Sequence, residues 1–389
     1  MKDKAGNTYG IKEVLEKGRK NIRSYTMILA LLIIWLILGI LTKGTFFMPR
    51  NMSMLVRQTS ITGILALGML LVVITGNIDM SAGSAMGLLG GIAACCQVWY
   101  GLGVAPTIFI VLLTGLVIGI WNGFWVAYMK VPAFIVTLGG YLAFRGILIG
   151  LTKSVTISPM SETFKSIGQG YLPMWAGWTA ALLLCAYAAV AFWRERHSKA
   201  KYGFPVPDRK IVLAKCLGVD VLILLFMYVM SLYQGVPVPV AVMLVLAGIF
   251  TFLTKCTPFG RSVYAIGCSR ETAELAGIHT KRILFLVYMI MGAMSGIAGM
   301  ILTARLNAGT AGAGNMAEMD AIASCVIGGA SLAGGVGSIP ASLIGALVMV
   351  SLDNGMSLLN TESFWQYIVK GVILIGAVWI DITTKKRTG

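Results

Sequence analysis

Among the ionisable residues in or beside the apolar stretches of this chain, Asp79, Arg145, Asp320, Asp353 and Lys370 are the ones whose placement could carry chemistry. A charge in hydrocarbon is costly, so each must face a wet passage, meet an opposite charge or reach an interface. Asp79 stands in "TGNIDMSAGS", between two apolar runs. There Asn77, Asp79 and Ser81 either line a polar path along an unwound backbone or cap the start of the next helix. Asn122, which opens "NGFWVAY", joins them as a candidate for the path. In "SLDNGMS", Asp353 and Asn354 either face a hydroxylated solute near the outer end of their span or end the helix before Gly355. The candidate translocation path is therefore Asn77, Asp79, Ser81, Asn122, Asp353 and Asn354. Arg145 is mid-span in "YLAFRGIL" and is expected to pair with an aspartate; Lys370 pairs or snorkels. Asp79 and Asp353 are also the carboxylates that an ion-driven carrier would titrate.

Other chemistry is poorly supported. No G-x-x-x-x-G-K-[ST] loop occurs and Gly-Lys is absent throughout, so the chain has no phosphate cradle for nucleotide hydrolysis. The two histidines, His197 and His279, fall in polar loops, and neither H-E-x-x-H nor G-x-S-x-G is present. Of seven cysteines, Cys95, Cys96, Cys185 and Cys325 lie in apolar stretches and none forms C-x-x-C, which reads as buried apolar packing. No catalytic residue, metal set or cofactor is expected.

The elements that hold these residues are membrane helices. With 57% hydrophobic and only 12% charged residues, most of the chain is solvated by lipid. Apolar runs long enough to cross a bilayer occur near 25–44, 53–76, 80–100, 104–129, 132–151 and 174–193. Six more lie near 211–233, 236–254, 283–303, 319–335, 337–355 and 364–382. The fold class is all-α, a polytopic transmembrane bundle of about 10–12 spans, with the glycine-rich 80–100 and 319–335 as the candidates for broken or re-entrant segments. The first run lacks a cleavage site and is expected to be retained.

A net charge of +16 would elsewhere suggest nucleic acid, but placement decides otherwise. Residues 1–24, 194–215, 255–282 and the last five hold 22 of the 31 Lys and Arg. Basic clusters between apolar spans stay in the cytoplasm. Both termini and both loops are therefore expected inside, which an even count of crossings also requires. The organisation expected is a cytoplasmic tail over 1–24 and one permease domain over 25–389, with a basic loop at 194–215 and a second at 255–282. Membrane lipid is the first partner; nucleic acid is not one.

A weak internal echo links "VVITGNIDMSAGS" (72–84) to "CVIGGASLAGGVGS" (325–338), and residues 122–140 to 354–371. Duplicated halves with glycine-interrupted segments are a transporter pattern, although glycine-rich membrane helices also resemble one another by chance.

The polar stretch "FGRSVYAIGCSRETAELAGIHTKRI" (259–283) interrupts this apolar chain. Ser269 is a good N-cap, "RETAELA" is made of helix formers and Gly277 is a natural stop, so a two-turn helix is expected. So short a helix is unstable alone and needs flanking structure, a partner or the headgroups to hold it.

Across nearly the whole chain after the first span, the sequence resembles the permease subunits of ATP-binding-cassette sugar importers, the ribose, xylose and galactose group. The motifs are "TGNIDMSAGS", "PAFIVTLGG", "FGRSVYAIGCSRETAELAGI", "DAIASCVIGGASLAGGVGS" and "WQYIVKG". The basic loop "RERHSKAKYGFPVPDRK", its flanking spans and "SLDNGMS" look like the xylose branch. The resemblance implies that residues 269–278 are the coupling helix that fits a cleft on a cytoplasmic ATPase subunit, through Ser269, Arg270, Glu271, Glu274 and Leu275, then Gly277 and Ile278. It further implies an extracytoplasmic sugar-binding protein, a second permease subunit forming a homodimeric pore, and ATP bound only by the partner. The location implied is the inner membrane. Lys153, Glu162, Lys165, Arg305 and Glu318 are candidates for docking the binding protein at the outer rim, or ordinary loop charge. The rival reading is an ion-coupled secondary sugar transporter.

Overall fold

The computed structural model describes residues 22–202 and 209–386. The tail expected over 1–24 lies almost wholly outside these residues, as does part of the 194–215 loop. Among the described residues fifteen helices follow one another: α1 (Ile22–Leu41), α2 (Pro49–Ile74), α3 (Ala82–Ala94), α4 (Val104–Gly123), α5 (Ala133–Thr152), α6 (Glu162–Gln169), α7 (Met174–Lys201) and α8 (Arg209–Ser231). After them come α9 (Val238–Cys256), α10 (Pro258–Cys268), α11 (Arg270–Leu275), α12 (Thr280–Leu306), α13 (Ala317–Ile327), α14 (Ile339–Leu358) and α15 (Ser363–Lys386). A π turn lengthens α3 through Trp99 and another lengthens α4 through Tyr128. Among the described residues, extended pairing is limited to two isolated bridges, Ile157 with Gly309 and Tyr171 with Pro237.

Nine of these helices are long and apolar enough to cross a membrane, and shorter apolar stretches, Met27–Leu41 and Ser363–Gly376, lie in α1 and α15. The bundle is centred on α2, whose apolar stretch is 83% buried; α7 and α8, at 11%, turn most of theirs outward. A helix apolar on every side is either wrapped by others or wrapped by lipid, and both kinds are present. Leu65 to Ile74 form an almost fully inaccessible run at the centre.

With little hydrophobic drive between helices in lipid, close backbone approach decides which of them meet. The crossing of α4 and α12 shows this, because a Cβ on Gly292 would lie 2.1 Å from the Gly115 carbonyl oxygen.

Two stretches of backbone are unwound. Residues 75–81 are turn and coil before α3 begins, and 307–316 are irregular before α13, which has only 11 residues and gives way to coil over 328–338. Of the two segments expected to be broken or re-entrant, 319–335 is broken, with helix confined to its first part, whereas 80–100 is continuous helix from Ala82 through Trp99. The two echoing segments also meet: Gly335 N–H donates to the Ile74 carbonyl at 2.8 Å.

Two expectations are corrected. The basic stretch after 193 is largely helical, since α7 runs on to Lys201 with Glu195 and Lys199 paired one turn apart. The polar stretch carries two helices, because α10 precedes the expected short one. α10 is capped by the Thr257 hydroxyl, which accepts from Gly260 N–H at 3.2 Å, and it buries Val263 and Ile266.

Candidate functional site

The end of the bundle that carries α10 and α11, the basal end, presents the first candidate surface. Ser269 caps α11, its hydroxyl accepting from Thr272 N–H at 3.2 Å. Gly277 ends it at φ +80, a backbone that a side chain would strain. Ala273 is buried in a small cluster with Ala127, Ile266 and Leu284, against which Ile278 packs. Glu274 accepts from the Thr280 hydroxyl at 2.6 Å and from Arg270 Nε at 3.3 Å. The Thr280 hydrogen bond, with Arg270 acting in the same direction, holds the Glu274 carboxyl below its usual range. Six residues of helix are thus fixed by their own chain. Glu271 is exposed, and Leu275, at 91%, is almost wholly so. All seven residues expected to form a coupling contact lie in this one segment, five on α11 or its cap and two just after it.

Half of the six path residues come together elsewhere. Asp79, Ser81 and Asn122 meet where the unwound 75–81 enters α3. Ser81 donates to Asp79 Oδ1 from its hydroxyl at 2.6 Å and from its N–H at 2.8 Å. Asn122 Nδ2 donates to the Ser81 hydroxyl oxygen at 2.9 Å. Tyr288 and Ser295 of α12 line the same narrow gap. Their hydroxyls and Asn122 Oδ1 are buried with no hydrogen-bond partner among the described residues. Such groups are costly unless something polar visits them. Sequence reasoning missed Tyr288 and Ser295, which sit singly in an apolar helix with no local motif around them.

The other three path residues lie apart. Asn77 closes its own turn, Nδ2 donating to the Thr75 hydroxyl oxygen at 3.0 Å. Asn354 exchanges hydrogen bonds of 3.0 and 2.9 Å with Asn51, tying α14 to the start of α2 at the opposite end of the bundle. Asp353 takes an ion pair from Lys370 Nζ at 2.8 Å, and the same ammonium lies 2.9 Å from Asp320. Lys370 thus pairs with two aspartates from two other helices.

Arg145 departs from expectation. Its Nη1 donates to the carbonyls of Ala311 and Ala313 at 2.7 and 2.9 Å, so it holds the unwound 307–316 segment and, among the described residues, forms no ion pair. Backbone freed from a helix at membrane depth needs donors of this kind. Glu318, a candidate for the outer rim, is instead 2% exposed and packed on Gly83, where a Cβ would lie 1.9 Å from its Oε2. Glu162 and Lys165 do lie on a short helix, α6, and pair with each other at 2.6 Å. Arg57, which sequence reasoning also passed over, stacks its guanidinium 4.7 Å from the centre of the Tyr171 ring. Among the described residues, no group of three or more His, Cys, Asp or Glu could hold a metal ion.

Comparison with known proteins gives these surfaces a family. The chain is 50% identical over 371 residues to the xylose transport system permease protein XylH of Haemophilus influenzae, covering 94% of this chain and 98% of that one. It is 49% identical to the Escherichia coli K12 protein of the same name, covering 95% and 94%. The ribose import permease protein RbsC of Bacillus subtilis is 32% identical, covering 91% of each. No solved structure matches the chain. Residues 51–378 match the family model described as "Branched-chain amino acid transport system / permease component", and with relatives of this similarity along almost its full length the chain belongs to that family of multi-pass membrane permeases.

Proposed function

We propose that this chain is the non-catalytic membrane subunit of an ATP-driven importer of a monosaccharide, xylose, in the inner membrane. Its basal end and both termini face the cytoplasm, and a separate ATPase supplies the work. Half-identity to two xylose permeases over nearly the whole chain supports the substrate. The basic clusters support the orientation. An extracytoplasmic binding protein would deliver the sugar, and a second copy of the chain would complete the pore.

The observation that carries this reading is α11. A short helix held rigidly by its cap, by Ala273 and by Glu274, yet exposing Leu275 to solvent, is shaped to be pressed on from outside. The Asp79, Ser81 and Asn122 cluster, with the unpaired hydroxyls of Tyr288 and Ser295, supports a path for a neutral polyol. Hydroxyl groups can replace one another there without a charged partner.

The test is uptake of labelled xylose into proteoliposomes. Uptake is expected only with the binding protein outside and the ATPase and ATP on the α11 side. Uptake by this chain alone on a proton or sodium gradient would overturn the proposal in favour of a secondary carrier.

A further inference from the structure

The foot of α4 and the start of α12 enclose, together with α11, an open cleft of about 690 Å³. Lys130, Arg270, His279, Lys281 and Arg282 line it, against one carboxylate, Glu274. That carboxylate is already engaged by Thr280 and Arg270. Lys130, Lys281 and Arg282 have no hydrogen bond or ion pair from their side chains among the described residues. Like charges gathered around one concavity repel each other, and an anion entering it relieves that repulsion.

We infer that this cleft binds the phosphate headgroup of an anionic phospholipid. Phosphate oxygens suit it, because guanidinium and ammonium groups donate charge-assisted hydrogen bonds to them from several directions. The wall above the cleft distinguishes a lipid from a free anion. Tyr128 lines the cleft, and its ring begins an aromatic run up α4: Phe124 lies 6.2 Å from it, Trp125 5.8 Å from Phe124 and Trp121 5.7 Å from Trp125. Trp121 and Phe124 are exposed on the outside of the bundle, at 55% and 42%. A headgroup seated among the cations lays its acyl chains against this surface, whereas inorganic phosphate gains nothing from it. The inference rests on the membrane placement proposed above and is independent of the transported solute.

The experiment uses the full chain, purified in detergent and titrated with phosphatidylglycerol or phosphatidylcholine, with retained lipid read by native mass spectrometry. Preferential retention of phosphatidylglycerol is expected. Each of Lys130→Gln, Lys281→Gln and Arg282→Gln weakens it about fivefold, equivalent to about 1 kcal/mol per basic side chain at an anionic surface. Arg50→Gln, an exposed basic site at the start of α2, at the opposite end of the bundle, leaves it unchanged. The charge-conserving set Lys130→Arg, Lys281→Arg and Arg282→Lys retains it, which separates loss of charge from loss of fold. Equal retention of both lipids, or no loss in the glutamine variants, would overturn the inference. Displacement of the lipid by inorganic phosphate would assign the cleft to a free anion. Glutamine variants that keep the lipid but lose the ATPase would assign it to an acidic protein surface. Xylose uptake measured on the same variants distinguishes failure of this inference from failure of the transport reading.

Discussion

Leu275 projects into solvent from a helix whose other face is anchored by Ala273. Burying such a side chain in a partner's cleft is worth about 2 kcal/mol, so Leu275→Asp is expected to weaken association with the ATPase roughly 30-fold. Co-purification from membranes checks this, with thermal unfolding of the permease itself unchanged. Glu274 gives a pH signature. Its carboxyl is held low by Thr280 and Arg270, so its share of the α11 anchorage is fully present above the ordinary carboxylate range. That share is lost as pH falls through the lowered value. Hydrogen-exchange protection of residues 272–278, corrected for the intrinsic rate, is expected to be flat above the ordinary glutamate value of 4.5 and to drop only below it. At this scale the sequence was legible where the chemistry is local: Ser269, Gly277 and the order of residues between them announce a capped short helix. It was opaque for Arg145, whose partners are carbonyls 166 and 168 positions away on backbone that no motif marks as unwound.

Lys370 joins α15 to two helices of the bundle by ion pairs, reaching Asp320 on α13 and Asp353 on α14. Removing the cation leaves two carboxylates at membrane depth without a counter-charge. Lys370→Met is therefore expected to destabilise the solubilised protein by about 3 kcal/mol. Adding Asp320→Asn and Asp353→Asn is expected to restore most of this, because the uncompensated charge goes with them. Thermal unfolding in detergent measures both. Long apolar helices were readable from composition alone, since hydrocarbon thickness sets their length. Helices outside lipid were harder. In "TPFGRSVYAIGC" no helix was expected, yet Thr257 caps one there and Val263 and Ile266 give it a buried face. The end of α7 was similarly masked, because a run of basic residues after an apolar span looks like a loop until the pairing of Glu195 with Lys199 is seen. The broken segment at 319–335 was anticipated from its glycines, but not that its helix stops at Ile327.

For the molecule as a whole, orientation is open to a direct test with its own thiols. Cys256 and Cys268 are exposed near the basal end, whereas Cys95, Cys96 and Cys325 are buried. In spheroplasts a membrane-impermeant maleimide is expected to leave Cys256 and Cys268 unlabelled, and in inside-out vesicles to label them. Mass spectrometry of the tryptic peptides reads the result, and labelling of either from the outside would invert the topology. The base of the bundle also limits how the protein can move. Gly267 of α10 lies so close to both unwound segments that a Cβ there would fall 1.8 Å from the Ile74 carbonyl oxygen and 2.4 Å from Gly335 N. Nearby, the Tyr264 hydroxyl donates to the Gly337 carbonyl at 2.8 Å. There is no slack at this junction. Displacement of α10 therefore carries the end of α2 and the 328–338 coil with it.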